Sequence, residues 1–414
     1  MSAATASPVD PATTTAAPRV VRVARNGVAL VFTLNGLAVA TWFSRVPAAR
    51  EALGLSAGRL GLLLLAMSAG ALLAMPTAGL VSQRLGAART VALSTVVVAL
   101  GVTGAGLAAG LSGSVVGVAA GLFAFGYGSG TCDVAMNVEG AAVERRLGRT
   151  IMPRFHAAWS LGSVAGAGLG AGAARLDVPM GTHLTAVAVV VLAGTLLGAR
   201  LFLPLPANGS DGPEQGGAAG RRRALLAAWR EPRTLLIGLL VLVMAFTEGS
   251  ANDWLAVAFV DGHDLSEAAG AAVFGVFVVG MTLGRTAGTI ALDRWGRVRV
   301  LAATIVLAAA GAALAVLAGS GPVAIVGVAL WGIGASLGFP VGMSAAADEE
   351  DKAPVRVSVV AVIGYTAFLG GPPLLGMLGD RVGTLQALLV VPLLLVPTLA
   401  LVPVMRPPRP AERA

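Results

Sequence analysis

The sequence predicts an all-α integral membrane protein with twelve transmembrane helices in two pseudo-symmetric six-helix bundles. Three observations predict it. The 414 residues are 56% hydrophobic and only 12% charged, about half the charge of an ordinary globular chain, and the mean hydropathy is +0.83. Apolar runs of roughly 18–27 residues recur, and a helix needs ~20 to cross a bilayer. The runs fall into two sets of six around one long polar stretch, and short motifs repeat from one set to the other.

The elements follow in chain order. Residues 1–25 are rich in Ala, Thr and Pro and end in Arg19, Arg22 and Arg25. No cleavage site separates them from the apolar run behind, so they read as a disordered cytoplasmic tail. The N-terminal bundle, 26–203, holds apolar runs at 27–44, 59–81, 91–110, 114–138, 156–174 and 182–203. Residues 204–233 carry Gly, Pro and charge without periodicity, including Arg221-Arg222-Arg223, and read as a cytoplasmic linker. The C-terminal bundle, 234–404, holds runs at 234–260, 269–291, 300–318, 322–344, 357–378 and 385–404, followed by a short tail at 405–414.

Charge placement sets the expected orientation. Of the 29 basic residues, 22 fall in the tails, the linker and the alternate loops on their side, and 5 fall on the other side. Basic residues accumulate in cytoplasmic loops, so both termini and the linker are expected to be cytoplasmic. The same placement accounts for the sequence pI of 11.1 without a nucleic-acid partner. One cysteine, Cys132, excludes a disulfide framework and Cys-based metal sites. There is no GxxxxGK[ST], HExxH or GxSxG. No cofactor, metal or enzymatic activity is expected.

The halves carry the marks of a duplication. Arg84-Leu-Gly86-Ala-Ala-Arg89 follows the second run, and Arg294-Trp-Gly296-Arg-Val-Arg299 follows the eighth. Trp42 pairs with Trp254, and Phe125-Gly-Tyr-Gly128 with Trp331-Gly-Ile-Gly334, at nearly the same offset.

These features together resemble the major facilitator superfamily. The loop Gly79-Leu-Val-Ser-Gln83-Arg84-Leu-Gly86-Ala-Ala-Arg89 is similar to that superfamily's gating motif G-x-L-x-D-R-x-G-R-K/R, with Gln83 in the place of the Asp, and Asp293-Arg294-Trp-Gly296-Arg297 is its second copy. Asp133-Val-Ala-Met-Asn137, Phe155-His156-Ala-Ala-Trp-Ser160-Leu-Gly162 and Glu248-Gly-Ser-Ala-Asn-Asp253-Trp254 resemble bacterial permeases near the fucose–proton symporter family. The fifth run, Gly162-Ser-Val-Ala-Gly166-Ala-Gly-Leu-Gly170, lacks the proline of the antiporter signature. The resemblance implies the major facilitator fold, with helices 1, 4, 7 and 10 around a central path and a cytoplasmic gate at Gln83, Arg84, Gly86, Arg89, Asp293, Arg294 and Gly296.

Ionisable groups at membrane depth are costly, by ~3 kcal/mol each on insertion scales, and here they are unevenly spread. Runs 3, 9 and 12 contain none, while runs 4, 5, 7 and 8 hold Asp133, Glu139, His156, Glu248, Asp253 and Arg285. Glu248 lies near the middle of run 7, with Asn252 one turn on. A carboxyl at that depth suits a proton carrier. Asp253 is rotated by about 140° from Glu248 on a regular helix, which leaves a structural role equally open. Asp133 and Asn137 share a face of run 4 and form a candidate cluster with His156, while Asn35 is the strongly polar group of run 1. Arg285 is expected to pair with a carboxylate within the gate. Glu139 and Glu144 are expected in loop salt bridges with Arg145, Arg146 or Arg154, and Trp42 and Trp254 as interfacial anchors. Gly162, Gly166 and Gly170 form a ridge for close helix packing. Gly371-Pro372-Pro373 should break run 11, and Pro340 should kink run 10.

The expected function is secondary active transport by alternating access, driven by protons, of a small polar or sugar-like metabolite through a monomer in the lipid bilayer. Export of drugs or secondary metabolites is the alternative within transport. A transporter-like sensor is the alternative outside it, disfavoured by the absence of a soluble signalling extension.

Overall fold

The computed structural model describes residues 19–148, 151–204, 218–318, 321–349 and 352–407, and among these no strand occurs. Twelve membrane helices run α1 (Arg19–Ser44), α2 (Ala57–Leu85), α3 (Ala87–Ser112), α4 (Val115–Leu147), α5 (Met152–Arg175), α6 (Met180–Arg200), α7 (Pro232–His263), α8 (Glu267–Trp295), α9 (Arg297–Leu317), α10 (Gly321–Ala346), α11 (Ala353–Val382) and α12 (Thr384–Met405). Eleven are long and apolar enough to cross a membrane. The twelfth, α5, has 24 residues, about 36 Å of helix, enough to span. Glycines and polar side chains on the face that packs between α1 and α8 dilute its hydropathy.

Several boundaries differ from the sequence reading. Arg19–Arg25, expected in the tail, form the first turns of α1. The linker contains a helix at Ala218–Ala228, and α7 begins at Pro232; its remaining part, residues 205–217, lies outside the described residues, as do the tail residues 1–18 and 408–414 with Arg409 and Arg413. α4 runs on past 138 to Leu147, where Gly148 at φ 62 closes it. Hydropathy falls off at the membrane surface, whereas backbone hydrogen bonding continues to the next residue that allows a left-handed turn.

The duplication recurs in the geometry of the matching turns, caps and packing glycines. Gly86 and Gly296 each end one helix and begin the next, at φ 78 and φ 75 with ψ 157 in both, a conformation open to glycine and costly for other residues. Ser56 and Ser266 each cap the following helix by accepting from a backbone N–H, of Arg59 and Ala269 respectively. Gly126 lies on the backbone of Met67 and Gly128 on Ser94 and Val98; in the second half Gly332 lies on Phe277 and Gly334 on Thr304 and Ala308.

The two halves meet along α5–α8 and α2–α11, pairs that the pseudo-symmetry exchanges. The Gly162, Gly166 and Gly170 ridge is used within the first half, against the backbone of α1 at Thr33 and Leu37 and the side chain of Ser44. α10 is interrupted at Ser336–Leu337, four residues before Pro340, because the proline ring has no N–H and clashes with the carbonyl of Ser336. α11, expected to break, is continuous through Pro372 and Pro373.

Three further expectations are corrected. Trp42 and Trp254 are 0% and 1% exposed; they are core residues, because α7 continues to His263 and the short helix Val46–Leu53 packs on it. Glu144 accepts from the backbone N–H of Ile151 and Met152 at 2.6 and 2.7 Å. Glu139 accepts from Leu203 N–H at 2.7 Å. Both carboxylates accept from backbone N–H groups at or just beyond helix ends instead of pairing with arginines.

Candidate substrate and proton pathway

A cavity of about 1530 Å³ lies between the halves. Its walls come from α1, α2, α4 and α5 on one side and α7, α8, α10 and α11 on the other. It is larger than a typical small-ligand pocket and opens on the side of the chain termini, where Arg154, Trp295, Arg299 and Arg406 rim it. The far end is shut. Phe43 of α1 meets Phe274 of α8 edge-on at 6.2 Å. Beyond them Arg45 lies 3.2 Å from Glu267, a close charge contact without linear hydrogen-bond alignment. Arg50 pairs with Asp261, and Asp380 of α11 accepts from Gly58 N–H at 3.0 Å and from Ser56 Oγ at 3.2 Å, at the N-terminus of α2. Each of these contacts joins one half to the other.

At membrane depth the cavity gathers the predicted residues. Arg285 Nη2 donates to Glu248 Oε1 at 3.2 Å, and the guanidinium lies 5.8 Å from the ring centre of Trp159. Arg285 pairs with a carboxylate as expected; the partner is Glu248 on the cavity wall, away from the loop motif at Asp293–Arg297. Trp159 Nε1 donates in turn to Asn35 Oδ1 at 3.2 Å, so α1, α5, α8 and α7 are linked through four side chains. Asn252 and Asp253 both line the cavity with Glu248, because α7 presents more than a third of its circumference there. Asp253, whose direction was open, therefore faces the path. Asn137 Nδ2 donates to the Asp133 backbone carbonyl at 2.8 Å and to Asp133 Oδ1 at 3.3 Å. His156 lines the same cavity but packs edge-on against Phe32 at 5.3 Å; the expected triad reduces to the Asp133–Asn137 pair.

The expected gate residues flank the open mouth. Arg84, Arg89, Asp293 and Arg294 are exposed, and none forms an ion pair among the described residues. Arg294 lies over the neighbouring Trp295 ring at 5.8 Å. Gly86 and Gly296 supply the turns described above. The side chain of Gln83 lies outside the described residues, as do those of Arg221 and Arg222.

Several residues that sequence reasoning did not single out are central. Asp348 collects Arg233 at 2.7 Å and Arg297 at 2.8 Å, while these arginines also hold the carbonyls of Arg406 and Met405. The starts of α7 and α9 and the end of α12 are thereby tied together. Burial alone would push the Asp348 carboxyl up, but the hydrogen bonds from Arg297 and Arg233 outweigh it and hold it below the usual range. Glu231 receives Arg356 and Thr234, and Glu349 receives Arg356 at 2.9 Å. The Arg356 hydrogen bond lowers the Glu349 carboxyl as well. A signal existed for this cluster: acidic residues in a strongly basic set of loops.

A cavity between two six-helix halves, open on one side and latched on the other, defines a membrane transporter. This chain belongs to the Major Facilitator Superfamily, whose profile matches residues 28–349 and again 254–414. It is 33% identical over 355 residues to an uncharacterized transporter, y4wD, of Sinorhizobium fredii, covering 86% of this chain and 90% of that one. It is 31% identical over 352 residues to an uncharacterized MFS-type transporter of Yersinia pestis, covering 85% and 88%. It is also 29% identical over 365 residues to the membrane protein MosC of Rhizobium meliloti, covering 88% and 86%. Among solved structures it shares its fold with the nucleoside transporter NupG (TM-score 0.76, 12% identity, 92% of this chain and 99% of that one). The E. coli fucose:proton symporter FucP matches with a TM-score of 0.65 and 18% identity, over 94% of this chain and 100% of that one.

Proposed function

We propose that the protein is a proton-coupled symporter for a small polar, sugar-like metabolite, working by alternating access in the bacterial inner membrane with both termini cytoplasmic. The units that rock are the 26–203 and 234–404 bundles, joined by the 204–233 linker, within a single chain. The observation that carries the reading is the Glu248–Arg285 pair on the cavity wall at membrane depth. Ionised Glu248 holds Arg285; a proton on Glu248 removes that charge and frees Arg285 from α7. A carboxyl that exchanges an arginine for a proton within the substrate cavity couples the two in one place. The hydroxyls and amides around it, from Asn35, Asn252, Ser68, Ser129 and Thr282, suit a polyhydroxylated solute. The fucose:proton symporter is a fold relative consistent with this chemistry.

Glu248→Gln keeps shape and hydrogen bonding but cannot ionise. The variant should still exchange substrate across proteoliposome membranes and lose accumulation driven by a proton gradient. Normal gradient-driven accumulation by the variant would sink the assignment; membrane expression and a thermal melt separate misfolding from lost coupling. For orientation, a cysteine at position 212 on a Cys132→Ser background should resist an impermeant reagent in intact cells.

A further inference from the structure

We propose that the cavity selects solutes that carry an amine, the ammonium group lying between Asp133 of α4 and Asp253 of α7; this inference rests on the transport reading above and names its substrate class. The charge balance at membrane depth motivates it. Three carboxylates line the cavity there: Asp133, Glu248 and Asp253. The guanidinium at that depth, Arg285, is engaged by Glu248 at 3.2 Å. Asp133 has the amide of Asn137 as its side-chain partner, and no ion pair reaches Asp133 or Asp253 among the described residues. The other arginines on the wall stand at the mouth, where Asp348 holds Arg297. The deep cavity therefore carries an excess of acid over base, with one unmatched carboxylate on each half. Asp133 on α4 and Asp253 on α7 belong to facing walls of the one cavity between the halves.

A second observation is independent of charge. Ser160, on the same wall, is 3% exposed, and its hydroxyl has no hydrogen-bond partner among the described residues. Buried hydroxyls are nearly always paired, and a hydroxyl-bearing guest would pair this one. The rings of Phe339 and Tyr365, tilted at 59° with centroids 5.8 Å apart, also line the cavity, and aromatic walls tolerate a cation better than aliphatic ones do. An anionic solute would meet two uncompensated carboxylates. A neutral polyol would satisfy Ser160 and leave both acids unmatched. An amine with hydroxyl groups satisfies all three.

The test compares matched probes on the purified full-length protein by calorimetry: glucosamine against glucose, N-methylglucamine against sorbitol, and gluconate as the acid. Each amine is expected to bind at least about tenfold tighter than its neutral partner, the effect of one well-placed charged hydrogen bond, and gluconate is expected not to bind. Asp253→Asn should abolish the preference, and Asp253→Glu, which keeps the charge, should retain it and serve as the folding control. Neutral or acidic probes binding as well as the amines, no amine binding at all, or a preference that survives in both Asp253→Asn and Asp133→Asn would overturn the proposal. Counterflow in proteoliposomes separates it from the transport reading. Amine binding without counterflow refutes transport and leaves the selectivity standing. Neutral-sugar counterflow without amine preference does the reverse.

Discussion

Replacing Glu267 by Gln should open the shut end of the cavity. Arg45 has a side chain only 4% exposed and Glu267 one 27% exposed, 3.2 Å apart. Without the carboxylate, Arg45 keeps the Val178 carbonyl at 3.1 Å and loses its one ion pair among the described residues. Breaking a fully buried pair costs about 3–5 kcal/mol. Glu267 is partly wet, so water recovers some of this, and about 2 kcal/mol is a fair figure for the latch-closed state. Such a loss shifts the equilibrium about 30-fold towards the conformation open on that side. A population of about 1% would rise to about a quarter. Spin labels at Ala52 and Val323, introduced on Cys132→Ser, would report the distance between the halves by pulsed electron resonance. The variant should gain a long-distance component that Glu267→Asp, which retains the charge, lacks. An unchanged distance distribution in Glu267→Gln would refute the latch, and so would the same gain in Glu267→Asp.

Asp348→Asn should lower thermal stability at neutral pH by about 2 kcal/mol, through loss of charged hydrogen bonds from Arg297 and Arg233. Because the folded carboxyl is held below its usual 3.8, its contribution is present above that pH and is lost as pH falls through the depressed value; melts of variant and parent should converge only in strong acid. Gly162→Val drives a side chain into the Thr33 carbonyl and should cost about 1–3 kcal/mol, whereas Gly168→Ala, which meets nothing within 4 Å, should melt like the parent. Arg84→Ala should slow transport more than it weakens binding, since Arg84 stands clear of the cavity wall in the open-mouthed state; an unchanged rate with a raised Kd would contradict a gating role.

The spans and the two halves were legible in the sequence because each depends on local composition. A run of ~20 apolar residues must hydrogen-bond its own backbone within lipid wherever it sits. The turn glycines Gly86 and Gly296 were legible for the same reason, as were the polar residues of runs 4, 5, 7 and 8, whose cost at membrane depth sets them apart. Which of those groups touch was decided only by tertiary structure. The rotation and tilt of α7 brought Asp253 into the cavity with Glu248, and α8 set Arg285 on Glu248 instead of in the loop motif two turns away. His156 went to Phe32 because α5 packs on α1 through its glycine ridge. Trp42 and Trp254 fall late in their apolar runs, yet the short helix Val46–Leu53 and the length of α7 bury them. The latch from Arg45 to Glu267 joins residues more than two hundred positions apart, as does the link from Arg50 to Asp261. Contacts of that separation depend on how two bundles meet, and hydrophobic periodicity within one helix carries no information about the face its partner presents.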